Sequence, residues 1–175
     1  MNQLYLSQNS EKGRLKIMNT NRMMTEKWPW IEAAHGMRLQ LLDILSDADL
    51  AFTPGGQNMT FGALCREMGE TEYSYLQSLK TWRQEWSYRN TEAGLASSVA
   101  RLKEWFQTLD DEMEATITAF SDEDVNKPVD RGGAVTVEFQ LEVYLQAVLI
   151  FLGKATIYFK AMNKALPQFF QEYIG

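Results

Sequence analysis

A chain of 175 residues in which 45% are hydrophobic and 12% aromatic carries enough apolar mass for one domain with a sizeable core, which excludes a disordered acidic tail. A net charge of −6 leaves no basic stripe to release counterions from a phosphate backbone, so nucleic acid is not expected as a partner. The single cysteine, Cys65, can form no internal disulfide and belongs to no Cys/His cluster, which fits a reducing, cytoplasmic setting.

Residues 1–24 are polar, carry scattered Met and show no sustained helical period; they are expected to form an N-terminal extension outside a single domain at 25–175. They lack the continuous apolar core of a secretory signal peptide. Thr25 is expected to cap a first helix with Pro29 in its first turn, where a missing N–H costs little. Trp30, Ala34, Met37, Leu41 and Ile44 recur at spacings of four and three, which predicts the buried seam of a helix ending near Leu45. The Ser, Asp, Pro and paired Gly of SDADLAFTPGGQNM stop it.

Thr60 is the next cap, and Phe61, Leu64, Met68, Tyr75, Leu79 and Trp82 predict a second helix from Phe61 to Trp82. Gly62 and Gly69 each lower its propensity by roughly 1 kcal/mol relative to Ala and are read as points of close helix approach. The polar connection 83–96 carries Trp86 and Tyr88 and is expected to fold back over an apolar edge. Ser97 or Ser98 caps a third helix whose Val99, Leu102, Phe106, Leu109, Met113, Thr116 and Phe120 keep a seven-residue repeat.

After SDEDVNKPVDRGGAV, Thr136 caps one long helix predicted over Thr136–Pro167, in which only Gln146 is polar between Val143 and Leu152. That apolar run of ten residues falls short of the ~20 needed to cross a bilayer, so no membrane anchor is expected. The helix asks for apolar cover on nearly every side, and the others must supply it. The tail QFFQEYIG is placed across a bundle end. SDADL and SDEDV each end a helix, precede a loop with Pro and Gly-Gly, and lead to a Thr-capped helix, so the chain reads as two helix–loop–helix halves. Loops of this length permit crossovers, and no strand alternation competes: the expected fold is an all-α four-helix bundle.

Candidate chemistry is sparse. His35, the only histidine, rules out a three-histidine metal site; beside Ile31, Arg38 and Leu42, it reads as a half-exposed helical residue. Cys65, next to Leu64 and Met68, reads as a buried structural thiol. Glu67, Glu70, Glu138, Glu142, Asp110, Asp111, Glu112 and Glu114 invite comparison with carboxylate-bridged metal bundles, but no Glu-x-x-His pair exists and solvated helix faces explain them. Gly55–Gly56 and Gly132–Gly133 lack the P-loop Lys-Ser/Thr. The five tryptophans are read mainly as core.

The succession SDADLAFTPGG, MTFGALCREMGETEYSYL, NKPVDRGGAVTVEF and LGKATIYFKAMNKALP resembles the DinB-like superfamily, over roughly residues 25–170. That resemblance implies a four-helix bundle with long crossover connections, commonly a homodimer, and in some members a metal-dependent thiol transferase. Metal-bearing members place one His five residues after the Gly of the second-helix motif and two on the last helix, six and two residues before a Gly. Laid on this chain, those positions are Glu67, Ala147 and Phe151. Ala and Phe cannot ligate a metal, so the resemblance implies a degenerate site with no metal and no cofactor, in which Phe151 plugs the space. Glu67, if it points inward, is expected to bond a Tyr, Trp or Arg near the bundle centre, because an unpaired buried charge is costly. Two functions are expected: a dimeric binding or interaction module with a small-molecule ligand or protein partner, or a thiol-dependent transferase or isomerase with Glu67 as acid or base.

Overall fold

The computed structural model describes residues 21–174. Four long helices dominate: α2 (Trp28–Asp43), α3 (Phe61–Thr81), α4 (Val99–Thr118) and α6 (Val137–Ala161). Short helices α1 (Arg22–Glu26), α5 (Asp122–Asn126) and α7 (Gln168–Ile174) flank them. A two-residue antiparallel ladder pairs β1 (Val129–Asp130) with β2 (Ala134–Val135) before α6.

Local chemistry places α3, α4 and α6 much as expected, whereas Thr25 lies inside α1 and caps nothing: α2 starts after Lys27 with no side-chain cap and with Pro29 in its first turn. Thr60, Ser98 and Thr136 cap α3, α4 and α6, each hydroxyl accepting from the backbone N–H three residues on. The SDADL and SDEDV echo is realised twice as a capping box: Ser46 with Asp49, and Ser121 with Asp124. Trp82 and Asn163, both left-handed, mark the ends of α3 and α6. The last helix is therefore shorter than Thr136–Pro167; it stops at Ala161, and Pro167 instead leads into α7.

Each of α2 and α3 packs against both α4 and α6, so the order around the bundle is α2, α4, α3, α6, and α2 stands diagonally across from α3. Directions follow from the cross-links. Lys27–Glu142 and His35–Tyr144 make α2 parallel to α6, whereas Gln140–Ser78 and Tyr158–Met59 make α6 antiparallel to α3. Close approach of Gly62 to Ala96 and the Lys80–Glu112 pair make α3 and α4 parallel. The result is an up-down-down-up bundle in which the two diagonal connections cross opposite ends, and segment 82–98 runs back along α3 as a strap. Tyr88 stacks on Tyr73 with ring centroids 3.8 Å apart, and the Asn90 amide donates to Glu70. A Cβ on Gly62 would lie 1.8 Å from the Ala96 carbonyl oxygen, and one on Gly69 2.3 Å from the Trp105 ring, so both glycines do permit close approach.

Three further expectations need correcting. The buried face of α2 is wider than the expected seam: Ala34, Met37 and Leu41 are buried as expected, Trp30 and Ile44 are exposed, and Trp28, Ile31, His35, Arg38 and Leu42 also point inward. Heptad spacing holds, but with charged residues inside it. Second, residues 21–24 belong to the packed structure: Met23 is buried, and Asn21 donates to the Ile117 carbonyl while capping α1. The remainder of the expected extension, 1–20, lies outside the described residues. Third, α6 is long and apolar enough, by length and composition alone, to cross a bilayer. Here its Tyr144, Val148, Phe151, Leu152, Ala155 and Phe159 form the bundle core, while Phe139, Leu149, Ile150 and Ile157 stay exposed.

Candidate functional site

Glu67 on α3 and Ala147 and Phe151 on α6 line one shallow cleft of about 170 Å³, with Leu64, Met68, Thr71, Ile150 and Lys154 around them. Antiparallel packing of α3 on α6 brings these distant positions together. Phe151 is buried and forms the floor, and Ala147 is half-buried. Glu67 does not reach the bundle centre: it is exposed, because the inward face of α3 is taken by Phe61, Leu64, Cys65, Met68 and Glu72. The expected interior hydrogen bond to it is replaced by a solvated rim. A transition metal does not fit this cleft, since Ala147 and Phe151 supply no donor atom and one solvated carboxylate beside Lys154 is a poor ligand set. Cys65 is fully buried behind it, and burial pushes its thiol up, away from nucleophilic use.

A larger cleft of about 510 Å³ adjoins the first and shares Glu67 and Thr71 with it. The strap closes its far side with Trp86 and Arg89, and Arg66, Glu70 and Ser74 contribute from α3. Glu70 lies 3.6 Å from Arg66 and 3.8 Å from Arg89, so it draws two guanidinium groups to one wall. Trp86 is half exposed and meets Tyr75 in a T-shaped contact with ring centroids 5.4 Å apart. The combined surface offers an apolar floor, an aromatic side and a rim of mixed charge, in which Arg66, Arg89 and Lys154 stand beside Glu67 and Glu70.

The most polar feature of the molecule lies deeper, and sequence reasoning missed it. Arg38, fully buried on α2, donates to Glu72 of α3 and to Asp110 of α4, each at 2.5 Å, while its guanidinium lies 3.8 Å from the centre of the Phe106 ring. His35, one turn earlier, brings Nε2 to 2.6 Å from the Tyr144 hydroxyl and Nδ1 to 2.8 Å from Asp110 Oδ1. Four helices thus meet in one charged knot. Burial works against the Arg38 charge, but the carboxylates of Glu72 and Asp110 outweigh it and hold the guanidinium firmly protonated. Burial also works against ionised Asp110, and is overcome by His35 and Arg38, which bring its carboxyl down to about 2. Glu72 goes the other way, pushed up by burial, and the Tyr144 hydroxyl is raised by burial and by Glu72.

His35 is therefore not half-exposed, and Asp110 is not on a solvated face. Glu72 was legible only as a gap: the apolar repeat of α3 steps from Met68 to Tyr75 and omits the inward position between them. Ligand-capable atoms of His35, Glu72 and Asp110 lie within 4.8 Å of one another.

Comparison with known proteins agrees with this architecture. The family model described as the DinB superfamily matches residues 31–149. The fold is similar to the crystal structure of a DinB-like protein from Bacillus subtilis, with a TM-score of 0.65 and 15% identity, covering 79% of this chain and 94% of that one. At that identity the likeness concerns the fold alone. No curated protein matches the chain.

Proposed function

The chain belongs to the DinB superfamily, and from that premise we propose that it is a cytoplasmic, homodimeric binding module whose ligand is a small organic molecule. The observation that carries this reading is the pair of clefts meeting at Glu67 and Thr71. At the positions where metal-bearing relatives carry imidazoles, Ala147 and Phe151 supply apolar surface, while Arg66, Arg89 and Lys154 supply positive charge at the edges. That combination suits an amphipathic molecule with an anionic group, its apolar body on Phe151 and Trp86 and its anion at the arginine wall.

The homodimer rests on α6. Phe139, Ile150 and Ile157 are exposed along one line of the helix, and α2 and α3 leave that line uncovered. An antiparallel pairing of two α6 helices centred at the level of Val148 sets Phe139 against the partner's Ile157 and Glu142 against the partner's Lys154. Such a pairing is isologous and closes, as a two-fold interface requires.

A thermal-shift screen of small carboxylates and other amphipathic anions tests the ligand reading. A ligand at 100 times its Kd adds about 2.7 kcal/mol of stability, a shift of several degrees in Tm. The shift is expected in the wild type and strongly reduced in Arg66→Ala and Phe151→Leu, with Glu67→Ala altering which ligands bind. Hits that stabilise all variants equally would place binding elsewhere and defeat the proposal.

A further inference from the structure

We propose that His35 and Asp110 form the inner half of a divalent transition-metal site, open to solvent between α2 and α4 and separate from the Glu67 cleft. A hollow of about 180 Å³ lies there, lined by Trp28, Glu32, His35, Gly36, Leu39, Gln107, Asp110, Asp111 and Glu114. Its titratable lining is one imidazole and four carboxylates, with no lysine or arginine among the lining residues. The acidic rim alone would be a solvated face; the buried imidazole behind it makes the difference.

His35 is 3% exposed, and its Nδ1 has no hydrogen-bond partner although Asp110 Oδ1 is only 2.8 Å away. Arg38 donates to the same Asp110 oxygen at 2.5 Å, so that carboxylate already has a positive charge beside it, and the Nδ1 of His35 is the atom left unsatisfied. Ligand atoms each ~2.1 Å from a common ion sit about 3.0–3.4 Å apart, so the two atoms would have to open by a few tenths of an ångström to share one cation. The other ring nitrogen is already engaged: with its proton on Nε2, His35 donates to the Tyr144 hydroxyl, which fixes the ring and leaves the Nδ1 lone pair for a metal.

Arg38 does not occupy the site. It approaches Asp110 from the bundle side and serves as an outer-shell donor that orients the carboxylate, while Glu72, whose Oε1 is also unpartnered, backs the cluster. Glu32, Asp111 and Glu114 complete the shell from the solvent side, directly or through water. One imidazole with carboxylate oxygens suits zinc, manganese or ferrous iron better than calcium.

The test uses tag-free, chelator-stripped full-length protein titrated with Zn²⁺ by calorimetry and followed by ¹⁵N NMR. Because the chain has a single histidine, its ring resonances need no assignment. The expected result is one equivalent of Zn²⁺ per chain with a large shift confined to Nδ1, roughly tenfold or greater weakening in Asp111→Asn/Glu114→Gln, loss of binding in His35→Gln, and no change in Glu67→Gln. Should His35→Gln fail to fold, the rim double variant and the ring resonance decide. Absence of saturable binding, binding that leaves the imidazole unmoved, or binding lost in Glu67→Gln would each overturn the assignment; the last would move the metal to the ligand cleft and refute the present reading of that cleft instead.

Discussion

Arg38 and Glu72 join α2 to α3 across the diagonal of the bundle through a guanidinium–carboxylate contact of 2.5 Å, both residues fully buried. Those two helices face each other across the core rather than along a seam, so this contact sets their relative height. Removing one partner leaves an unpaired charge in the interior. Arg38→Ala is therefore expected to cost about 3–5 kcal/mol, measured by urea unfolding, whereas a joint Arg38→Met, Glu72→Leu, Asp110→Leu replacement is expected to fall between neutral and ~4 kcal/mol more stable. If the single variant cost no more than a surface substitution, the knot would carry no structural weight.

The long helices were legible because their caps are local: Thr60, Ser98 and Thr136 announce starts wherever the chain later packs. The cleft positions were legible through spacing, since Ala147 and Phe151 stand one turn apart on any helix. The knot was not. At Arg38, Glu72 and Asp110 a charged residue at a seam position looks like an interruption of the apolar repeat, and only the meeting of three helices turns it into core. His35 was misplaced for a related reason: the seam through Ala34, Met37 and Leu41 is real, but the buried face extends beyond it to His35 and Arg38.

Acid stability should show the knot directly. Asp110 is held near 2, below its ordinary 3.8, so the folded state binds its proton less readily than the unfolded state does. Its contribution is complete above about pH 4 and is lost as pH falls through 3.8 toward 2. Glu72 has the opposite sign: burial raises its carboxyl above 4.5, so stability is lost as pH rises past that value toward the raised one. Urea midpoints across this range should show a flattened acid limb in Asp110→Asn and a smaller loss above 4.5 in Glu72→Gln. Asp124, also near 2 and remote from the knot, titrates equally in wild type and both variants and cancels in the differences.

The convergence of Glu67, Ala147 and Phe151 on one cleft makes a constructive prediction. Replacing all three together, Glu67→His, Ala147→His and Phe151→His, should create a transition-metal site that binds one equivalent of Zn²⁺ beyond whatever the wild type binds, read by calorimetry. No single replacement should do so, because one imidazole holds zinc weakly. The floor position carries a cost: Phe151 is 4% exposed, and trimming a buried Phe to Ala costs about 3–5 kcal/mol, so the triple variant should be less stable when stripped of metal and should recover Tm on adding it. A folded triple variant without the extra equivalent would mean that the three positions share a cleft but not a common point.

The exposed stripe of α6 predicts assembly as well. Ile150 and Ile157 are each 60% exposed and stand seven residues apart, so they project from the same side of the helix, with Phe139 further along it. Leaving three large apolar side chains in water on a core helix has no folding rationale, because the inward face of α6 is already filled by Tyr144, Val148, Leu152 and Phe159. Ile150→Glu with Ile157→Glu should convert a dimer to a monomer in analytical ultracentrifugation while leaving the far-UV circular dichroism unchanged. The antiparallel register adds a finer test. Glu142→Lys and Lys154→Glu should each weaken the dimer by placing like charges opposite one another, and the double exchange should restore it. Glu142 also pairs with Lys27 within its own chain at 2.6 Å, so the Lys154→Glu arm is the cleaner of the two. A wild-type chain that sediments as a monomer at all concentrations would leave the stripe free for a different protein and remove the two-fold pairing from the proposed function.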